Sequence, residues 1–122
     1  MQIVAIDHVQ LAAPAGCEPA ARAFFGDLLG LAELPKPEPL RARGGVWFVL
    51  GGDSVQQLHV GIEEPFAPAT KAHPAFTVED IDALAARLSN AGAPVSWDDT
   101  LPGVRRFYTT DPWGNRLELL SV

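Results

Sequence analysis

The chain has 122 residues, 48% hydrophobic and 20% charged, which is enough for one compact soluble domain with a real core and too few for two independent ones. Nine Lys and Arg against fifteen Asp and Glu give a formal charge of -6, and the pI is near 4.8. Nucleic acid is therefore not expected as a partner, since phosphate binding takes clustered cations and only Arg41/Arg43 and Arg105/Arg106 are grouped. No apolar run approaches the length of a membrane span, so no membrane partner is expected.

The N-terminus lacks the charged, then apolar, then small-residue layout of a secretory leader. Cys17 is the only cysteine and cannot close an internal disulfide, which fits a reducing, cytoplasmic setting. It lies in a Pro/Gly-flanked loop with no second catalytic group nearby in sequence.

In chain order, residues 2–13 alternate as a strand, with Asp7, Val9 and Leu11 on one face and His8, Gln10 and Ala12 on the other. Pro14 to Pro19 reads as a loop. Pro19 to Leu29 turns helical, with Ala20, Ala21, Ala23, Phe24, Phe25 and Leu28 as its apolar stripe and Gly30 as C-cap. Pro35, Pro37 and Pro39 mark an irregular or edge segment. Gly45 to Leu50 is a strand, Gly51 to Ser54 a turn, and Val55 to Ile62 the returning strand.

Glu63 to Lys71, with Pro65 and Pro68, reads as a connector, and then the order repeats. His73 to Val78 is a strand. Asp80 is an able N-cap for a helix carrying Ile81, Leu84, Ala85 and Leu88 and ending at Asn90-Ala91-Gly92. Pro94 to Trp97 is a short strand, Asp98 to Gly103 a loop, and Val104 to Thr110 a strand. Asp111 to Asn115 is a Pro/Gly turn, and Arg116 to Val122 is the last strand. Each half reads β-α-β-β-β, with modules at about 1–64 and 71–122 of a single domain spanning 1–122. Twelve positions separate Trp47 from His59 and eleven separate Phe107 from Glu118, so aligning the halves takes one gap. The expected architecture is α+β, with two helix-backed sheets facing one another across a concave space.

The two halves place all three histidines and one carboxylate at matching positions, His8 with His73 and His59 with Glu118. Histidine and carboxylate are the usual protein ligands of a borderline divalent metal, so the duplication suggests one shared site. Alternation sends Val9, Leu11, Leu58, Val60, Phe76, Val78, Leu117 and Leu119 to the helix side. His8, Gln10, Gln57, His59, His73, Thr77 and Glu118 are left opposite. Arg106 and Tyr108 share one face of their strand. Arg106 is the cation best suited to a ligand carboxylate or phosphonate. Glu63-Glu64 and Asp98-Asp99 read as solvated loop charges, and Trp47, Trp97 and Trp113 as core or cavity wall.

Three segments carry a resemblance: Ile6-Asp7-His8-Val9, Ala23 to Leu31, and Phe107 to Leu119 with its Asp111-Pro112-Trp113-Gly114-Asn115-Arg116-Leu117-Glu118-Leu119 ending. The chain resembles the glyoxalase/bleomycin-resistance/extradiol-dioxygenase family, the vicinal oxygen chelate superfamily, over essentially its whole length. The resemblance implies paired βαβββ modules forming a curved mixed sheet around a cavity. It also implies one divalent metal (Zn, Ni, Mn or Fe(II)) held by His8, His73 and Glu118. His59 stands at the fourth position, often glutamate in glyoxalase I-like members, and is the fourth candidate ligand. The implied activity is that of a metal-dependent lyase or isomerase on a small oxygen-chelating metabolite, with Glu118 moving the proton and Gln10, Gln57, Thr77, Arg106 and Tyr108 contacting substrate. A metal-free drug- or metabolite-binding protein of the bleomycin-resistance type and an Fe(II) dioxygenase stay open beside it, as does a fosfomycin-type thiol transferase. A homodimer is also implied, with modules paired within one chain or exchanged between two.

Overall fold

A computed structural model describes every residue from Met1 to Val122. The chain divides into two compact units, Met1–Ala67 and Pro68–Val122. Each builds one four-stranded mixed sheet, and the fold is α+β.

The first unit comprises β1 (His8–Ala13), α1 (Glu18–Ala21), β2 (Ala32–Leu34), α2 (Glu38–Arg41), β3 (Val46–Val49) and β4 (Gln57–Ile62). α1 runs on into a wider π-type turn over Arg22–Leu28, where the Leu29 N–H donates to the Phe24 carbonyl at 2.9 Å. Gly30 ends it with φ +78°, as its C-cap reading requires. The strand order is β1-β4-β3-β2, with β1 parallel to β4 and the remaining pairs antiparallel. Alternation sends Leu11, Ala13, Val46, Phe48, Leu58 and Val60 into a core shared with Phe24 and Phe25, all buried. Gly45, at φ +87°, admits no side chain: a Cβ there would lie 2.2 Å from the Val60 carbonyl oxygen.

The second unit repeats the plan with β5 (Ala75–Val78), α3 (Ile81–Asn90), β6 (Ser96–Asp98), β7 (Arg106–Thr110) and β8 (Arg116–Ser121) in the order β5-β8-β7-β6. β5 is parallel to β8, and β8-β7 and β7-β6 are antiparallel. The Asp80 carboxylate caps α3 by accepting from the Ala83 N–H at 3.0 Å. Ile81, Ala85 and Leu88 on α3 join Phe107, Leu117 and Leu119 in the second core. No helix is long and apolar enough to cross a membrane.

Several expected boundaries move, each for a physical reason. The strand expected over 2–13 begins only at His8, because the ladder with β4 opens at the His8–Gln57 pair and the residues before it have no neighbouring strand. Ile3 and Val4 are accordingly 97% and 91% exposed. The strand expected from His73 starts at Ala75, since Pro74 has no N–H to give a ladder. The segment around Pro35, Pro37 and Pro39 is not merely irregular. It carries edge strand β2 and then α2, which Pro37 precedes as N-cap and whose first turn holds Pro39, where a preset φ favours helix initiation. Val104 and Arg105 precede β7 rather than forming part of it.

Register shows how closely the halves correspond. Gln10, two residues after His8, pairs with His59, and Ala75, two residues after His73, pairs with Glu118. Trp47 stands opposite His59 and Tyr108 opposite Glu118. The counterpart of Trp47 is therefore Tyr108 and not Phe107. Ten positions separate Tyr108 from Glu118 against twelve from Trp47 to His59, so the first half has the longer hairpin.

The turn before β8 is secured by buried polar contacts. Asp111 Oδ1 accepts from the backbone N–H groups of Trp113 and Asn115 at 3.0 and 2.8 Å. The Asn115 amide donates to Asp111 Oδ2 at 2.7 Å and accepts from the Ala69 N–H at 2.9 Å. Burial pushes the Asp111 carboxyl up, against the pull of its Asn115, Trp113 and Gly114 contacts. Replacing Asn115 by Ala strands buried groups at both ends of its side chain, and the expected loss in urea unfolding is about 2–4 kcal/mol. A loss under ~0.5 kcal/mol would show that the turn is held by its backbone alone.

Candidate functional site

In the second unit the burial of Leu117 and Leu119 turns Arg116 and Glu118 to the opposite face of β8, and the burial of Phe107 and Thr109 does the same for Arg106 and Tyr108 on β7. His73 reaches this face from just ahead of β5. Its Nε2 lies 2.9 Å from Glu118 Oε1, and its Nδ1 lies 2.8 Å from the Lys71 carbonyl oxygen. A carbonyl can only accept, so Nδ1 carries a proton. The Nε2···Oε1 contact is then favourable only with a proton or a metal ion in it, because two lone pairs would otherwise face each other. Glu118 Oε2 accepts from Arg106 Nη1 at 3.1 Å. Burial by itself would raise the Glu118 pKa, but the hydrogen bonds from His73 and Arg106 outweigh it and hold the carboxyl below its ordinary range.

Arg106 proves to be committed within the protein. Its Nη2 donates to Thr100 Oγ1 at 3.3 Å and lies 3.6 Å from Asp98 Oδ1, so Asp98, expected as a solvated loop charge, helps neutralise it. Its Nε is buried without a protein partner. The cation on this face of β8 without a carboxylate partner is Arg116, absent from the expected site residues, whose guanidinium carbon lies 3.9 Å from the Tyr108 ring centroid. The two-residue period of β8 was the signal for it, since Arg116 shares the face of Glu118. Tyr108 also meets the His73 ring edge-on at 5.6 Å. Thr77 is exposed on the face of β5 that carries Ala75, the partner of Glu118.

In the first unit the equivalent positions carry rings. His59, 5% exposed, is stacked between Trp47 at 3.8 Å and His8 at 4.3 Å, with interplanar angles of 2° and 17°. Its Nε2 contacts Gln57 Oε1 at 2.8 Å, so Gln57 orients the histidine. Gln10 is exposed and lies over Gly61, where a Cβ would come within 2.7 Å of its amide nitrogen. The His8 Nδ1 is tied to Asp7 Oδ2 at 2.9 Å, leaving Nε2 as its outward donor atom.

These contacts test whether a divalent metal suits the residues. His8 and His73 each have Nδ1 fixed by an oxygen, the arrangement that orients metal-ligating histidines through their outer nitrogen. The 2.9 Å between His73 Nε2 and Glu118 Oε1 is close to the separation of two neighbouring ligands with bonds of roughly 2.0–2.2 Å. His73 and Glu118 thus suit a shared ion and His8 presents a free ring nitrogen, but no group of three or more His, Cys, Asp or Glu side chains comes together as a complete metal site. Two imidazoles on one ion must both have it in their ring planes, which the nearly parallel His8 and His59 rings do not allow, and His59 Nε2 already contacts Gln57. His59 is placed as a stacking ring.

The family described as Glyoxalase-like domain matches residues 10–120. A crystal structure of a protein assigned to the glyoxalase family from Bacillus anthracis superposes with a TM-score of 0.92 at 50% identity, covering 99% of this chain and 97% of that one. Lactoylglutathione lyase from Agrobacterium tumefaciens gives 0.74 at 25% identity, with 99% and 96% covered. TnmS3, an antibiotic binding protein from Streptomyces sp. CB03234, gives 0.73 at 22% identity over 99% and 98%, a likeness of fold. No curated protein matches the chain.

Burial, and next the nearby His8, lower the His59 pKa from its ordinary 6.5. Below that value the unfolded chain binds this proton more readily than the folded one, so the contribution is complete above about pH 6.5 and is lost as pH falls. His59→Phe keeps a ring in the stack and removes the titration. The urea midpoint of the variant should fall less than that of wild type between roughly pH 7.5 and 5, and parallel curves would show that His59 carries none of the acid sensitivity.

Proposed function

Since the chain belongs to the glyoxalase-like domain family, we propose that it is a metal-dependent lyase or isomerase acting on a small metabolite with adjacent oxygens. The observation that carries this reading is the His73–Glu118 contact, whose outer atoms are tied to Lys71 and Arg106 while the space between them calls for a cation. His73 and Glu118 would hold the metal, and His8 is the further ligand that the family resemblance implies. When bound, a divalent ion supplies Lewis-acid polarisation of the substrate oxygens.

The chain's own groups do the rest. Glu118, kept ionised by its partners, is the carboxylate that takes and returns the proton. Arg106 fixes one of its oxygens and so directs the other. Tyr108, Gln10 and Thr77 present the substrate-facing surface of the sheets, and Gln57 acts through His59. A homodimer goes with this reading, because four modules cover sheet edges better than two.

A second reading has its own observation. The Trp47–His59–His8 stack is an aromatic wall suited to a planar ligand held without chemistry, as a metal-free binding protein would use. Metal analysis of protein purified without a histidine tag separates the two. Wild type incubated with Zn, Ni, Mn or Fe(II) should retain about one ion per chain, His8→Ala, His73→Ala and Glu118→Ala should each lose it, and His59→Ala should keep it. Retention below about 0.1 ion per chain with every metal overturns the enzyme reading in favour of the binding protein.

A further inference from the structure

The second unit holds one arginine on its polar face that the protein does not neutralise. Arg105 forms a two-point pair with Asp82 at 2.7 and 2.9 Å, and Arg106 is shared by Glu118 and Asp98. Arg116 has no carboxylate within ion-pair distance, in a chain where acids outnumber bases fifteen to nine. Its position is nonetheless set. β8 turns it to the face of Glu118, two residues away, and its guanidinium lies over the Tyr108 ring at 3.9 Å. Stacking uses the flat face of a guanidinium and leaves its N–H donors free in the plane, so Arg116 is held as an oriented and unsatisfied fork.

We propose that the ligand of this site carries a carboxylate and that Arg116 receives it through paired hydrogen bonds, selecting anionic ligands over neutral ones of the same shape. The proposal rests on the small-molecule site described above and names the class of its ligand. Paired N–H donors match the two oxygens of a carboxylate. A phosphate dianion would call for a second cation, and Arg106 is already committed to Glu118 and Asp98, whose charges repel a polyanion. Arg116 therefore takes the role first expected of Arg106.

Phenylpyruvate and 1-phenylpropane-1,2-dione test this, since both offer adjacent oxygens and an aromatic ring and only the first has a carboxylate. Binding is followed at millimolar ligand through the arginine Nε–H NMR signals, with that of Arg116 identified by its loss in Arg116→Gln. Wild type should bind phenylpyruvate at least about tenfold more tightly than the dione, and the Arg116 signal should move. Arg116→Gln should abolish that preference while leaving dione binding unchanged, and Arg116→Lys, which keeps the charge and loses the planar fork, should retain part of it. Equal binding of the two probes by wild type overturns the proposal and leaves the small-molecule site standing. An equal loss of both probes in Arg116→Gln and Arg116→Lys assigns Arg116 a structural role and also overturns it. Binding of neither probe by wild type overturns the proposal, while the metal content of the same sample reports on the enzyme reading separately.

Discussion

The parallel pairing of the first strand of each half with its last is the constraint on which the site depends. In a sheet a slip of one residue turns every side chain to the other face. Here Gln10 opposite His59 and Ala75 opposite Glu118 set the same register twice. The buried residues enforce it: Leu58 and Val60 flank His59, and Leu117 and Leu119 flank Glu118, all at 2% exposure or less. Moving either strand by one place would put those side chains on the polar face and drive a histidine or a glutamate into the core, where an unpaired charge costs several kcal/mol, on the order of its desolvation. Hydrophobic burial on one face thus fixes the polar chemistry of the other.

On this shared frame the two halves have taken different chemistry. The first fills its polar face with a pile of three rings, and the burial that favours stacking also favours an uncharged His59. The second fills it with charge, and Glu118 stays ionised although nearly buried because His73 and Arg106 each supply a hydrogen bond. Removing either partner would leave a carboxylate desolvated and half satisfied, which is more costly than never having buried it. Arg106 is therefore a supporting residue of Glu118, and Arg116, held by stacking alone, is left for a ligand.

Much of this was legible in the sequence. Alternation assigned the faces of β1, β4, β5, β7 and β8, and the pairing of His8 with His73 and of His59 with Glu118 emerged from matching the halves. Asp80 and Gly30 marked helix ends through capping chemistry that depends on few neighbours. What escaped depends on partners remote in sequence. The strand expected over 2–13 loses its first residues because no strand lies beside them, and alternation cannot report a missing neighbour. The Trp47 counterpart was misplaced by one residue because hairpin length is not visible in the strands it joins. The commitment of Arg106 could not be read at all, since it rests on Thr100 and Asp98 closing around it from the preceding loop and from β6.

The cation-holding contact of His73 with Glu118 is the central claim, and imidazole ¹⁵N NMR of the full chain tests it most directly. In metal-free protein His73 Nδ1 should carry a proton toward the Lys71 carbonyl, leaving Nε2 as the atom that faces Glu118. Added Zn²⁺ should shift the His73 Nε2 signal while His59 Nε2 is unchanged. A His73 Nε2 that does not respond to saturating Zn²⁺ would contradict the account.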